Sequence, residues 1–195
     1  IWFGAENLLR KEEVDAAKIE LVHPDITKFT LDWLTVEVLR ERFVIQTMQE
    51  TYDEALRDLA LGTFSVLRHT PITKMGINRS VHFLIESEEK WHAAGDKLAP
   101  KVLWTGILEK PGMRSLTMEE SSRKDGLKGC VRVRIEPSAT IQPGLFIEVN
   151  DHMEFSDPKK GVGSEEMLDI LKSTWKDSII RAEDIIYTLY ERALS

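Results

Sequence analysis

The stretch Val131-Arg132-Val133-Arg134-Ile135-Glu136 alternates β-branched apolar residues with charged ones, and Leu145, Ile147 and Val149 repeat this pattern after a proline-containing connection. A period of two is typical of strands that bury one face and leave the other in water. The two segments therefore predict a pair of neighbouring antiparallel strands. In that pair we expect Arg132 or Arg134 to lie opposite Glu148, in an ion pair worth a few tenths of a kcal/mol.

A long helix is predicted after these strands, over residues 165–193. Apolar residues recur there at steps of three and four from Met167 to Leu189, which is the spacing of one helix face. Ile180 lies off that stripe, so the apolar arc is wider than packing against one sheet requires. The glycine- and lysine-containing stretch at 156–163 is predicted to be a linker.

A similar order of elements occurs nearer the amino terminus. Residues 33–48 alternate in two arms around a polar tip, which predicts a β-hairpin. Residues 51–68 then carry apolar side chains at helical spacing, and Thr51 with Glu54 has the spacing of a capping box. The sequence thus predicts a hairpin followed by a helix in both parts of the chain.

The region between these two parts contains shorter patterns. A strand is predicted over 72–85, with a bulge near 76–80 because the alternation breaks there. A short helix over 88–98 follows, and then two strands over 103–108 and 113–118 joined by a Pro-Gly turn.

These elements predict an α+β protein, with a largely antiparallel sheet, helices packed on one face and a long C-terminal helix. The length of 195 residues suits a single domain over 1–195. Because hairpin and helix follow one another twice, we also expect two pseudo-repeat halves, 17–100 and 101–195.

Composition and charge exclude several classes. The chain is 42% hydrophobic and has one cysteine, Cys130, so it is neither a disordered tail nor a disulfide scaffold. A lone cysteine fits a reducing compartment, which predicts a cytoplasmic protein. No apolar run reaches the ~18 residues of a membrane span. The net charge of −7 disfavours nucleic acid as a partner, although Arg114, Arg132 and Arg134 offer one conceivable basic face.

Two polar groups interrupt the apolar strand patterns and define a candidate ligand-binding or enzymatic site. If strands 72–85 and 145–154 are neighbours, the site lies between them. Histidine and carboxylate side chains serve acid–base chemistry or metal ions, and arginine binds carboxylate or phosphate. The candidate residues are Asn78, Arg79, His82, Asp151, His152 and Glu154.

The central part of the chain contains the stretch from Asp58 to Phe83, with Leu61-Gly62-Thr63-Phe64, Arg68-His69-Thr70-Pro71 and Gly76-Ile77-Asn78-Arg79, and also Leu98-Ala99-Pro100, Leu108-Glu109-Lys110-Pro111-Gly112 and Val149-Asn150-Asp151-His152. In these stretches the chain resembles a family of bacterial hypothetical proteins with no assigned activity. This resemblance implies a bacterial cytosolic origin and no particular mechanism.

The sequence favours a non-enzymatic protein that works through protein–protein contact, as a homo-oligomer. Five tryptophans are many for this length, and tryptophan is enriched at interfaces. The predicted contact surface lies on the C-terminal helix and includes Trp175, Ile179, Ile180 and Ile186. No catalytic residue, cofactor or metal is assigned, and the ligand-binding or enzymatic reading remains the alternative.

Overall fold

The computed structural model describes residues 2–23, 25–155 and 163–195. Most of the predicted linker, residues 156–162, lies outside the described residues. The helices are α1 Trp2–Ala5, α2 Lys11–Asp15, α3 Asp53–Val66, α4 Glu88–Leu98 and α5 Glu165–Leu194. The strands are β1 Lys18–His23, β2 Ile26–Thr30, β3 Thr35–Leu39, β4 Arg42–Gln46, β5 Lys74–Leu84, β6 Leu116–Glu120, β7 Gly129–Pro137 and β8 Gly144–Glu154.

The strands form two antiparallel sheets of four, in the orders β1-β2-β3-β4 and β5-β8-β7-β6. The predicted α+β class, with largely antiparallel strands and a long C-terminal helix, is confirmed, and the strands form two sheets where a single sheet was predicted. The chain divides into two compact units. The first is Ile1–Ile72 with Pro158–Ser173, and the second is Thr73–Asp157 with Thr174–Ser195.

The first unit buries one face of its sheet. Phe29 on β2 lies opposite Val36 on β3, and both belong to a core that also takes in Phe3 of α1 and Leu59 of α3. Trp33 stacks on the ring of Tyr52 at 4.9 Å between centroids. Burial of these rings and aliphatic side chains provides the main stabilisation of this unit.

The second unit buries the apolar rows of β7 and β8 under helices. Ile135 lies opposite Ile147 in the ladder, and both are part of one core with Ala94 of α4 and Ile186 of α5. The other face of the same strands carries the polar rows. The alternation in the sequence therefore identifies correctly which face the helices cover.

Several local predictions are confirmed. The hairpin at 33–48 forms as β3–β4, the strand at 72–85 forms as β5, and the helix at 88–98 forms as α4. Ser87 caps α4, because its Oγ accepts a hydrogen bond from the Lys90 backbone N–H at 3.3 Å. Arg134 lies opposite Glu148 with 3.3 Å between Nη2 and Oε1, which is one of the two pairings that the strand pattern predicts.

Three other local predictions are wrong. Thr51 does not form a capping box, because a 3₁₀ turn over Glu50–Tyr52 precedes α3 and Tyr52 occupies the N-cap position. No bulge interrupts β5, whose register with β8 is continuous from Lys74 to Leu84. Residues 103–108 are not a strand, since a 3₁₀ helix covers Lys101–Trp104 and turns follow it.

Candidate functional site

A buried carboxylate, Asp151, is the centre of the most densely bonded polar cluster described in the second unit. It lies on the helix-covered face of β8, where the neighbouring side chains of the row are apolar, and its side chain is 2% exposed. Arg123 Nη1 donates to Asp151 Oδ1 at 2.5 Å, and Ser178 Oγ donates to Oδ2 at 2.5 Å. Arg181 on α5 also donates to Oδ2. Both carboxylate oxygens are therefore occupied.

Arg123 joins this carboxylate to a second one. Its side chain is 1% exposed, and its Nε and Nη2 donate to the two oxygens of Asp125 at 2.9 and 2.5 Å. Its Nη1 also donates to the His152 carbonyl at 3.1 Å. We call Arg123, Asp125, Asp151, Ser178 and Arg181 the Asp151 network. It ties the 121–128 loop and α5 to β8, and its donors and acceptors are used within the chain.

Charge pairing in the network shifts the pKa of its more accessible acid. The hydrogen bond from Arg123 is the main cause that lowers the pKa of Asp125 from its ordinary value of 3.8 to about 2. The same pairing, with Asp125 first and Asp151 second, raises the pKa of Arg123. Both groups therefore stay charged over the whole physiological pH range.

The pKa of Asp125 predicts a specific acid sensitivity. Because the folded-state pKa lies below the ordinary value, the charge of Asp125 stabilises the fold above about pH 4, and this contribution is lost as the pH falls towards 2. We expect Asp125→Asn to lower the unfolding free energy by up to about 2 kcal/mol at pH 6, and to approach the wild type at pH 2. Urea unfolding of both proteins at the two pH values measures this. A constant difference between them would contradict the assignment.

The structure divides the predicted ligand-binding residues over the two faces of the second sheet. Arg79 and Asp151 lie on the helix-covered face, where Arg79 Nη2 is 3.0 Å from Glu183 Oε1 and Asp151 belongs to its network. Asn78, His82, His152 and Glu154 lie on the opposite face. The strands at 72–85 and 145–154 are neighbours, as the candidate site requires, but the six side chains do not meet in one place.

On that opposite face the two histidines are also separated. His82 lies across from Phe146, six residues along β8 from His152, which corresponds to about 20 Å. His82 Nδ1 is 2.9 Å from Ser138 Oγ, whereas His152 Nε2 is 3.7 Å from Glu154 Oε1. Within the described residues no three His, Cys, Asp or Glu side chains come together as metal ligands.

Two of the three arginines that the sequence offered as a nucleic-acid-binding face are paired with carboxylates. Arg132 Nη2 donates to Glu119 Oε2 at 2.7 Å, and this pairing lowers the pKa of Glu119. Arg134 lies between Glu136 and Glu148 at 3.4 and 3.3 Å. Arg114 is exposed outside the strands. The sheet face therefore presents paired charges of both signs.

The predicted contact surface on α5 is partly internal. Trp175 and Ile186 are buried, Ile179 is half-buried and Ile180 is 46% exposed. The wide apolar arc thus serves mainly the interior of the chain. Ile180 is the member of this set that offers the largest accessible area.

A different stretch, residues 102–108, exposes a concentration of large apolar side chains. The exposed fractions are 75% for Val102, 76% for Leu103, 48% for Trp104, 69% for Ile107 and 52% for Leu108. Large apolar side chains concentrated on an exposed segment are a feature of contact surfaces. Among the four tryptophans whose side chains are described, Trp104 is the exposed one.

The backbone of the 102–108 segment is fixed by its own hydrogen bonds. The N–H groups of Ile107 and Leu108 donate to the Trp104 carbonyl at 3.0 and 3.1 Å. Gly106 has φ of +81°, a left-handed conformation that glycine adopts without strain. This turn interrupts the extended backbone, which explains why the strand predicted at 103–108 does not form.

The sequence contained partial signals for both features. Asp151 breaks an apolar row of β8 that runs from Leu145 to Met153, and Ser178 lies three residues after Trp175 on the apolar stripe of α5. For the 102–108 segment, Pro100 and Gly106 indicate turns. The apolar residues of the segment favoured a strand, and this pattern outweighed the turn signal of Pro100 and Gly106 in the prediction.

The fold and these sites define an α+β protein with two four-stranded antiparallel sheets, a buried ionic network and an exposed apolar segment. Comparison with models of protein families, with curated proteins and with solved structures gives no match for this chain. Among the described helices, none combines the length and the apolar character needed to cross a membrane.

Proposed function

We propose that this chain acts through protein–protein contact, in an assembly of identical copies, and that the 102–108 segment is the contact surface. The observation that carries this proposal is the exposure of five large apolar side chains on one ordered segment of seven residues. Burying such side chains against a partner gains about 25 cal/mol per Å² of apolar area.

The order of the segment supports the same conclusion. A segment fixed by its own backbone bonds loses little conformational entropy when a partner covers it, so more of the burial energy appears as affinity. Trp104 is the natural anchor, since tryptophan is among the residues enriched in binding hot spots. Leu103 beside it extends the apolar area.

The test is a comparison of molecular mass in solution. We expect sedimentation equilibrium to show an oligomer for the wild type and a dissociation constant raised at least about 30-fold by the double substitution Leu103→Ser, Trp104→Ser, as the loss of a hot spot of about 2 kcal/mol implies. Leu103 is 76% and Trp104 48% exposed within the chain, so the monomer should stay folded, and circular dichroism with thermal unfolding checks this.

Two matched variants locate the surface. Met48→Ser makes the same kind of change at a residue that is 91% exposed elsewhere, and Ile180→Ser makes it on the predicted helix surface. Both are expected to keep the wild-type mass. A wild type that stays monomeric at high concentration, or dissociation by Ile180→Ser without dissociation by the double variant, would overturn the proposal.

A further inference from the structure

A cavity of about 470 Å³ lies beside the 102–108 segment, within the second unit. Its lining includes the apolar side chains of Trp91, Met113 and Leu145. The volume falls in the range of about 300–1,000 Å³ typical of ligand pockets, so it has room for a large side chain. Nothing in the Asp151 network lines it.

Residues that line the cavity lie next to the 102–108 segment in the sequence. Lys101 and Glu109, the two residues that flank the segment, both line the cavity. The apolar side chains of the residues between them do not line the cavity. The segment therefore does not fill the cavity of its own copy.

A glycine contributes to the lining of the cavity. Gly95 lies on α4, and a Cβ built on it would meet no atom within 4 Å. Glycine weakens a helix interior, so helix stability does not explain its presence here. The open space beside Gly95 leaves room for a larger side chain at this position.

The charges at the rim suit a second copy of this chain. Asp96 and Glu109 are matched in number by Lys101 and Lys110, and Lys101 Nζ is 2.6 Å from Asp96 Oδ1. The whole chain carries a net charge of −7, so two copies repel each other at long range. A rim of balanced charge lets two copies approach here without like-charge repulsion.

We propose that the 102–108 segment of one copy inserts into this cavity of a second copy, and that the second copy returns the same contact about a two-fold axis. This rests on the proposed function and names its partner and geometry. A patch that contains both a protrusion and an adjacent cavity is self-complementary, which is the requirement for a two-fold interface. Trp104 enters the cavity.

The first test fills the cavity without touching the segment. Gly95→Trp is expected to raise the dissociation constant at least about tenfold by sedimentation equilibrium, whereas Gly95→Ala, which adds only a Cβ in open space, is expected to keep the wild-type mass. Helical circular dichroism and thermal unfolding of both variants report whether the fold is intact. A Gly95→Trp protein as dimeric as Gly95→Ala overturns the insertion.

The second test does not depend on the folding of a bulky variant. A chain carrying Leu103→Cys is mixed with a chain carrying Gly95→Cys under mild oxidation by oxidised glutathione, with Met48→Cys replacing Leu103→Cys as the control. The native Cys130 is buried and its thiol pKa is raised by burial, so it stays unreactive. We expect a cross-linked heterodimer only with Leu103→Cys. Equal cross-linking of the control contradicts the geometry.

The outcomes separate this inference from the proposed function. If the Leu103→Ser, Trp104→Ser double variant dissociates but Gly95→Trp does not, the 102–108 segment is the contact surface, but it does not insert into this cavity. If neither dissociates, both proposals fail.

Discussion

The Asp151→Ala variant is expected to lose about 3 to 5 kcal/mol of unfolding free energy, the range found when one member of a buried ion pair is removed. The substitution leaves Arg123, whose side chain is 1% exposed, without one of its two carboxylates, and it leaves Ser178 and Arg181 without their shared acceptor. Since domains are stable by only about 5–15 kcal/mol, this is a large fraction of the total. Urea or guanidinium unfolding, followed by circular dichroism, measures it.

An exposed ion pair in the same sheet provides the control. Arg132 and Glu119 are 47% and 41% exposed and pair at 2.7 Å. Solvent screens such a pair, so Arg132→Ala should leave the denaturant midpoint within error of the wild type. Equal midpoints for Asp151→Ala and Arg132→Ala would show that the Asp151 network does not hold α5 and the 121–128 loop to the sheet.

The second large effect is expected at Gly129, the first residue of β7. Its φ is +126°, and an added Cβ would lie 2.0 Å from the His152 carbonyl oxygen of β8. The neighbouring atoms are backbone and cannot rotate away, so Gly129→Ala has to separate the two strands where they begin to pair. We expect a loss of more than about 3 kcal/mol, from backbone strain of about 1–3 kcal/mol together with the steric clash.

Substitutions at two other glycines separate the effect of backbone strain from the effect of the steric clash. Gly126 has φ of +75° with nothing within 4 Å of an added Cβ, so Gly126→Ala should cost only the backbone strain, about 1–2 kcal/mol. Gly95 is helical with open space around it, so Gly95→Ala should stabilise the monomer by about 0.5–1 kcal/mol. Thermal and denaturant unfolding of the three variants should rank them in this order. A mild effect at Gly129 would refute the close approach of β7 and β8.

Strand pairing in the second sheet was predictable because one physical rule governs it. Strands whose apolar and polar residues alternate must turn their apolar face towards a core. This predicts the two strands and the residues that share a face, and it limits the register to shifts of two residues. The Arg134–Glu148 pair follows from that register and is present. Long periodic segments such as α5 were predictable for the same reason.

The Asp151 network was not predictable to the same degree. Its members come from β8, from α5 and from an irregular loop, and Arg123 and Asp151 are 28 residues apart in the chain. The conformation of residues 121–128 places the guanidinium on the covered face, and a loop without periodicity gives no signal for this. A carboxylate within an apolar row indicates only that a partner has to exist.

The strand predicted over 103–108 was wrong for a different reason. Apolar residues in a short run are typical of a buried strand, and the sequence offers no separate sign that such residues are exposed. Gly106 and Pro100 determined the backbone instead, through a left-handed turn and the start of a 3₁₀ helix. The exposed apolar surface, which carries the proposed function, is therefore a result of the structure alone.

Sedimentation equilibrium of the unmodified chain over a wide range of concentrations measures whether two copies associate. We expect a reversible equilibrium between one chain and two, with the paired form dominant at high concentration. The mass of a single chain at every concentration would rule out an assembly of identical copies.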